Sequence, residues 1–242
     1  MINADTSRKS TVTVFAIHYS AISPSTRSPL YVDISSHMDT LYGMKTERSR
    51  VRELLQRSPV MSSGEITAEG IDTKTLTRMV RGGEIRRTAR GLYTLADYTP
   101  GTYHSLIEAG KLVDHGIVCL LSALSFHEIG TQNPSEVWLA IPRRARMPRV
   151  HEYPIQIVRF SGDAYTDGIE QQDIDGVDVA VYSIPKTVAD CFKYRNKIGL
   201  DVAIEALKDV IQRKRTSIDD LIHFAEVCRV REIMRPYMES MV

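Results

Sequence analysis

Cysteine is scarce in this chain, with three among 242 residues, at positions 119, 191 and 228. The number is odd, the spacings are wide and no C-x-x-C occurs. Neither a disulfide framework nor a zinc-ligating cluster is expected, and the thiols read as reduced and buried. Long hydrophobic runs are also missing. Val12-Thr13-Val14-Phe15-Ala16-Ile17, behind Arg8 and Lys9, is too short for a signal-peptide core and far too short for a membrane span. This places the protein in the cytoplasm with no membrane partner. An excess of one charge is absent as well, since 31 Lys and Arg face 30 Asp and Glu. No internal repeat, no G-x-S-x-G and no phosphate-cradling glycine loop is present. His127-Glu128 lacks a second histidine at helical spacing, so it is no zincin motif, and His127 reads as a core or capping residue. Glu136-Val137-Trp138 puts Trp where a metal nuclease would need lysine. No catalytic residue, metal or cofactor is therefore expected.

What is present is ordinary for a soluble globular protein: 43% hydrophobic and 25% charged residues. The length allows one large domain or two small ones. The charge is unevenly spread. Residues 45–95 hold eleven bases and six acids, whereas residues 96–242 hold seventeen bases and twenty-one acids. A small basic segment joined to a larger acidic one points to a nucleic-acid partner.

Pattern divides the chain at the same place. Residues 1–44 show no sustained period and read as a poorly ordered N-terminal extension, with Met38 and Met44 as alternative start sites. Over residues 45–97, Val51, Leu54 and Leu55 form a helical stripe ended by Ser58-Pro59. Ser62 and Ser63 can cap a short second helix. Asp72 can cap a third over Thr73–Arg81, with Leu76, Met79 and Val80 inward. Ile85–Thr88 and Leu92–Leu95 read as strands around Ala89-Arg90-Gly91. Three short helices and a hairpin are the order of a winged helix-turn-helix. Tyr98-Thr99-Pro100-Gly101 reads as a linker. Residues 102–242 read as a mixed α/β domain. It holds a buried helix over 118–126, strands over 136–141, 155–160 and 177–182, and a helical C-terminal end. The fold class expected is thus α+β.

A recognition helix needs an apolar inner face and an outer face that reaches base edges and phosphates. Thr73, Lys74, Thr75, Thr77, Arg78 and Arg81 are assigned to the outer face of the third helix. Thr73, Lys74 and Thr77 lie where base contacts are made, and Arg78 and Arg81 suit phosphates. Arg86, Arg87 and Arg90 sit in the wing, where cations reach backbone or minor groove. One such module binds weakly, so two copies on a repeated or palindromic double-stranded site are expected.

Further motifs carry a resemblance. They are Gly91-Leu92-Tyr93, Cys119-Leu120-Leu121-Ser122-Ala123-Leu124-Ser125-Phe126-His127, Glu136-Val137-Trp138-Leu139-Ala140-Ile141-Pro142 and Tyr182-Ser183-Ile184-Pro185-Lys186-Thr187-Val188-Ala189-Asp190-Cys191-Phe192. In this order they resemble AbiEi-type proteins, the antitoxin and transcriptional-repressor components of type IV toxin–antitoxin (abortive infection) systems. The resemblance implies a winged helix that represses its own operon promoter. It also implies a C-terminal antitoxin domain over residues 102–242. That domain would counter a nucleotidyltransferase-like toxin without forming a stable complex. A nucleic-acid-cleaving enzyme and a ligand-sensing stand-alone regulator stay open as other readings.

Three charged sets remain. Arg143, Arg144, Arg146 and Arg149 follow the Trp138 strand and suggest a second phosphate-binding patch or a solvated loop. Lys186, Lys193, Arg195 and Lys197 surround one helix, with Asp190 placed to pair with Lys186 or Lys193. Asp163, Asp167, Glu170, Asp173, Asp175 and Asp178 lack EF-hand spacing and read as a solvated acidic loop.

Overall fold

Capping chemistry sets out the first elements. The computed structural model describes residues 45–148, 150 and 153–241, so the N-terminal extension read over residues 1–44 lies outside the described residues. Helix α1, Glu47–Arg57, begins behind Thr46, whose hydroxyl accepts the Ser49 N–H. Pro59 ends it, because the residue before a proline is pushed out of helical geometry. Helix α2, Ser63–Ala68, opens on a reciprocal box. The Glu65 N–H donates to Ser62 Oγ at 3.1 Å, and the Ser62 N–H donates to the Glu65 carboxylate at 2.7 Å. Helix α3, Thr73–Arg81, starts at Asp72, whose carboxylate takes the Lys74 N–H at 2.8 Å. Strands β1, Met61–Ser62, β2, Ile85–Ala89, and β3, Leu92–Leu95, form an antiparallel sheet of order β1-β3-β2. Gly91, at φ +78°, supplies the left-handed turn between β2 and β3. Val51, Leu55, Ile66, Ile71, Leu76, Met79 and Ile85 bury one another beneath these elements.

The larger part is a five-stranded mixed sheet with helices on both faces. Its elements follow as α4, His104–Leu112, β4, Ile117–Val118, α5, Leu120–Phe126, β5, Val137–Pro142, and β6, Ile155–Phe160. Then come α6, Asp163–Thr166, β7, Ile169–Ile174, and β8, Val177–Tyr182. The strand order is β6-β5-β4-β8-β7. Strand β5 runs parallel to β6 and β4 parallel to β8, and the other neighbours are antiparallel. Alternation along β5 divides two cores. Trp138 and Ala140 pack with the C-terminal helices, whereas Val137, Leu139 and Ile141 pack with Leu106 and Ile107 of α4. The C-terminal helices are α7, Ile184–Lys193, α8, Arg195–Ile198, α9, Leu200–Gln212, α10, Ile218–Val227, and α11, Arg231–Glu239. The architecture is α+β, as expected.

Two expectations need correction, and a third is made specific. The apolar run 118–126 is not one helix. Val118 pairs with Leu139 and Val181 in the sheet, and the helix begins at Leu120. A run that is apolar on every side fits a central strand as well as a buried helix. The acidic run is not a loop either. It holds α6 and the paired strands β7 and β8, which turn at Asp175 and Gly176. Strand β7 is a sheet edge and keeps Glu170, Gln171 and Asp173 in solvent, so it lacks an apolar signature. The pairing expected for Asp190 is made with Lys186 rather than Lys193, and it takes Lys186 out of the cationic set. Lys186 is 0% exposed and its ammonium lies 2.5 Å from the carboxylate of Asp190, itself 1% exposed. The same ammonium sits 4.0 Å from the Tyr182 ring centroid and 4.7 Å from that of Phe160. Cys228 donates to the other Asp190 oxygen at 3.2 Å. Burial pushes the Asp190 carboxyl up, and the Lys186 charge opposes that push. All three thiols are free and buried.

The small sheet and the large body share apolar surface. Val60 and Leu92 pack with Leu106, Ile107 and Ala109 of α4. Lys111 of α4 pairs with Glu65 of α2. The Tyr98 hydroxyl donates to Asp175 at 3.2 Å.

Candidate nucleic-acid interface

Helix α3 presents its polar face outward because Leu76 and Met79 anchor the other side. Thr73, Lys74, Thr77, Arg78 and Arg81 are exposed. Thr75 is not on that face. It is 6% exposed, and its hydroxyl donates to the Glu47 carboxylate of α1. Val80, expected inward, is 37% exposed. The buried stripe is Thr75, Leu76 and Met79, with Thr75 turned toward Glu47 of α1.

Three of the module's acids, Glu53, Glu65 and Glu84, are paired with cations away from that face, while Asp72 lies at its start. Glu53 pairs with Lys45 at 2.7 Å and with Arg57 at 2.9 Å. Glu84 receives both Arg48 and Arg52. Glu65 is held by Ser62 and Lys111. Asp72 caps α3, and the Lys74 N–H bond holds its carboxyl below the usual range despite the opposing effect of desolvation. Among the described residues, no carboxylate lies within ion-pair distance of Lys74, Arg78, Arg81, Arg86, Arg87 or Arg90. The basic excess of the sequence therefore gathers on α3 and on the β2–β3 hairpin.

The hairpin orders its own cations. A register shift between Arg87 and Ala89 bulges β2 and re-aims the side chains that follow. Arg86 donates to the Tyr98 carbonyl at 2.8 Å and Arg87 to the Ala89 carbonyl at 3.3 Å. Arg90 stands exposed in the turn.

The second patch lies on the loop after β5, where Arg143, Arg144 and Arg146 are exposed. Arg149 lies outside the described residues. Sequence reasoning missed the residue that shapes this loop. Arg159 of β6 donates through one nitrogen to the carbonyls of Arg143 at 2.7 Å and Ala145 at 2.8 Å. Its only sequence signal is an arginine on a strand that pairs in register with β5, where Ile141 faces Arg159. A cleft of about 890 Å³ separates the hairpin turn from this loop. Arg90 and Gly91 stand on one side, Arg146 and Met147 on the other, with Ile141 and Tyr153 between them. The structure thus brings the hairpin turn and Arg146 to one opening.

His127 ends α5 and is buried, with Nε2 2.7 Å from the Tyr182 carbonyl oxygen. Burial lowers its pKa. Among the described residues, no group of three or more His, Cys, Asp or Glu side chains is placed to hold a metal ion. No helix among them is long and apolar enough to cross a membrane.

Comparison with known proteins adds two findings. The crystal structure of the Rv2827c protein from Mycobacterium tuberculosis is similar in fold, with a TM-score of 0.52 at 15% identity. The similarity covers 74% of this chain and 71% of that one. No curated protein sequence matches. Residues 49–96 match the family described as "Transcriptional regulator, AbiEi antitoxin", and this is the family that the motifs of the sequence resemble.

Proposed function

We propose that residues 45–97 form a winged helix-turn-helix DNA-binding domain by which the protein represses its own operon. Residues 102–242 then form an antitoxin domain of a type IV toxin–antitoxin system. The observation that carries this reading is the separation of charge within the small module. Glu53, Glu65 and Glu84 pair with cations of α1 and α4, while six cations on α3 and the hairpin form no ion pair among the described residues, with Asp72 at the cap of α3 the acid beside them. The family match over the same residues supports it.

In this reading Thr73, Lys74 and Thr77 meet base edges from the N-terminal half of α3. Arg78 and Arg81 contact the phosphates of the groove wall. Arg86, Arg87 and Arg90 reach backbone or minor groove from the wing. Thr75 drops out of direct contact, because it is buried against Glu47. Arg146 stands across the cleft from Arg90, and with Arg143 and Arg144 of the same exposed loop it extends the phosphate-binding surface. The target is double-stranded DNA at the operon promoter, in repeated or palindromic sites that two copies occupy. The protein acts in the cytoplasm, without catalysis, and counters a nucleotidyltransferase-like toxin without a stable complex.

A reporter driven by the upstream region tests the repressor half. Co-expression should lower its output, and the lowering should be lost in the Lys74→Ala/Arg78→Ala variant. Equal output with and without the protein would remove this half. Co-expression with the neighbouring gene tests the antitoxin half. Rescue of growth is expected, and a neighbour that is harmless alone would leave that half without support.

A further inference from the structure

We infer that the N-terminal end of α7 holds the oxyanion of a nucleotide-sized phosphate monoester, at a site whose lining shares no residue with the small module. The site is a cavity of about 540 Å³ bounded by the start of α7, the end of α5, β7 and α10. Four observations meet there.

The first is an open helix start. Helix α7 has ten residues, and its N-cap Ser183 makes no side-chain cap bond. Thr187 N–H closes onto the Ser183 carbonyl at 2.8 Å. The Ile184 N–H, on the cavity lining, precedes it and has no acceptor within the helix; the Lys186 N–H also lacks one but lies behind the lining, and Pro185 has no N–H. Open N–H groups and the helix dipole favour an anion at such an end.

The second is an orphaned hydroxyl. Ser183 lines the cavity and is 8% exposed, yet its Oγ has no partner among the described residues. A buried hydroxyl left unpaired costs stability, so a ligand acceptor is its natural complement.

The third is a cation. Arg215 lines the same cavity, and no carboxylate pairs with it among the described residues. Asp220, also at the rim, accepts the Ser217 and Thr216 hydroxyls at 2.6 and 3.4 Å and so faces its own helix cap.

The fourth is the size and lining of the space. It exceeds what an inorganic ion fills. Phe126, Ile184, Pro185 and Phe224 give it apolar walls, and Glu170 with Gln172 on β7 forms a hydrogen-bonding wall. A phosphate seated on Ser183 and Arg215 would leave room for a flat body whose N–H groups meet Glu170. Gly168 keeps the approach tight. A Cβ there would come within 2.9 Å of the Lys186 Cβ and of the Phe224 ring, so only glycine lets β7 start beside α7.

The test uses the full-length protein and backbone amide NMR. Guanosine 5′-monophosphate, inorganic phosphate and guanosine are titrated at constant ionic strength. Saturable shifts at Gly168, Ser183, Ile184 and Lys186 are expected with the monophosphate. Inorganic phosphate should bind the same amides more weakly, and guanosine should bind least. Ser183→Ala should weaken binding by about fivefold or more, the loss expected for one hydrogen bond. Because its hydroxyl is unpartnered, the unliganded melting temperature should stay the same or rise. Arg215→Gln should weaken binding by roughly tenfold or more, as for a lost charge-assisted bond. A 5′-phosphorylated dinucleotide that binds as well as the monophosphate would identify a nucleic-acid end as the source. Binding at least tenfold weaker would identify free nucleotide. The proposal falls if no probe shifts these amides, or if shifts appear only at the Arg143–Arg146 loop. It also falls if both variants bind as the parent does.

Discussion

The salt dependence of DNA binding follows directly from the charge separation in the small module. Six cations on α3 and the hairpin, namely Lys74, Arg78, Arg81, Arg86, Arg87 and Arg90, have no carboxylate partner among the described residues. If Lys74 reads a base edge and the five arginines each displace one counterion from a phosphate, log K should fall against log salt with a slope of about −4.5 per module. Affinity would then drop by roughly five-hundredfold between 50 and 200 mM salt. The perturbation is Arg78→Ala/Arg81→Ala, which removes two contacts from the surface of α3 and leaves Leu76 and Met79 in place. The slope should become shallower by about 2. Arg57→Ala is the control, since Arg57 already pairs with Glu53 on α1 and should leave the slope unchanged. Fluorescence anisotropy with a labelled upstream duplex, from 50 to 300 mM KCl, reads both numbers. An unchanged slope in the double variant, with binding intact, would refute the assignment of these arginines to phosphate contact.

Three further outcomes are expected. Asp190→Ala should destabilise the chain by about 3–5 kcal/mol in urea unfolding, because it strands the buried Lys186 charge. Lys186→Met with Asp190→Leu should recover most of that loss, and DNA affinity should stay unchanged in both. Thr75→Val should cost about 1–2 kcal/mol through the lost bond to Glu47, yet leave DNA affinity within twofold. A tenfold loss of affinity at unchanged stability would instead make Thr75 a base-reading residue. Arg159→Ala should speed amide hydrogen exchange over residues 143–147, because two loop carbonyls lose their shared donor. Exchange at the parent rate would show that Arg159 does not order the loop.

Much of the small module is legible in sequence because its signals are local. Asp72, the Ser62–Glu65 box and Gly91 act on neighbours within a few residues, and α3 falls within the bounds that Asp72 and Gly82 mark. Thr75 escapes such a reading. Its burial depends on Glu47, 28 positions away, and a threonine fits an outer face equally well. The central sheet is partly hidden for a related reason. Ile117 and Val118 form too short a strand to show alternation, and β7 is an edge strand whose polar residues suit solvent. Lys186 and Asp190 show helical spacing for an ion pair, but nothing local reveals that Phe160 and Tyr182 close over it. Of the candidate interface, the cations on α3 and in the β2–β3 hairpin are readable from charge and period. Their approach to the Arg143–Arg146 loop is not, because it depends on how the hairpin, α4 and β5 pack around one cleft.

The most direct measurement is the ratio of affinities for the upstream operon region and for a scrambled duplex of equal length and composition. It should be made with the full-length protein at about 150 mM salt. A specific repressor should favour the upstream region by about a thousandfold or more. That preference should collapse toward unity in Lys74→Ala/Arg78→Ala. A ratio near one for the parent protein would contradict the repressor reading and leave the basic face of α3 without a sequence to read.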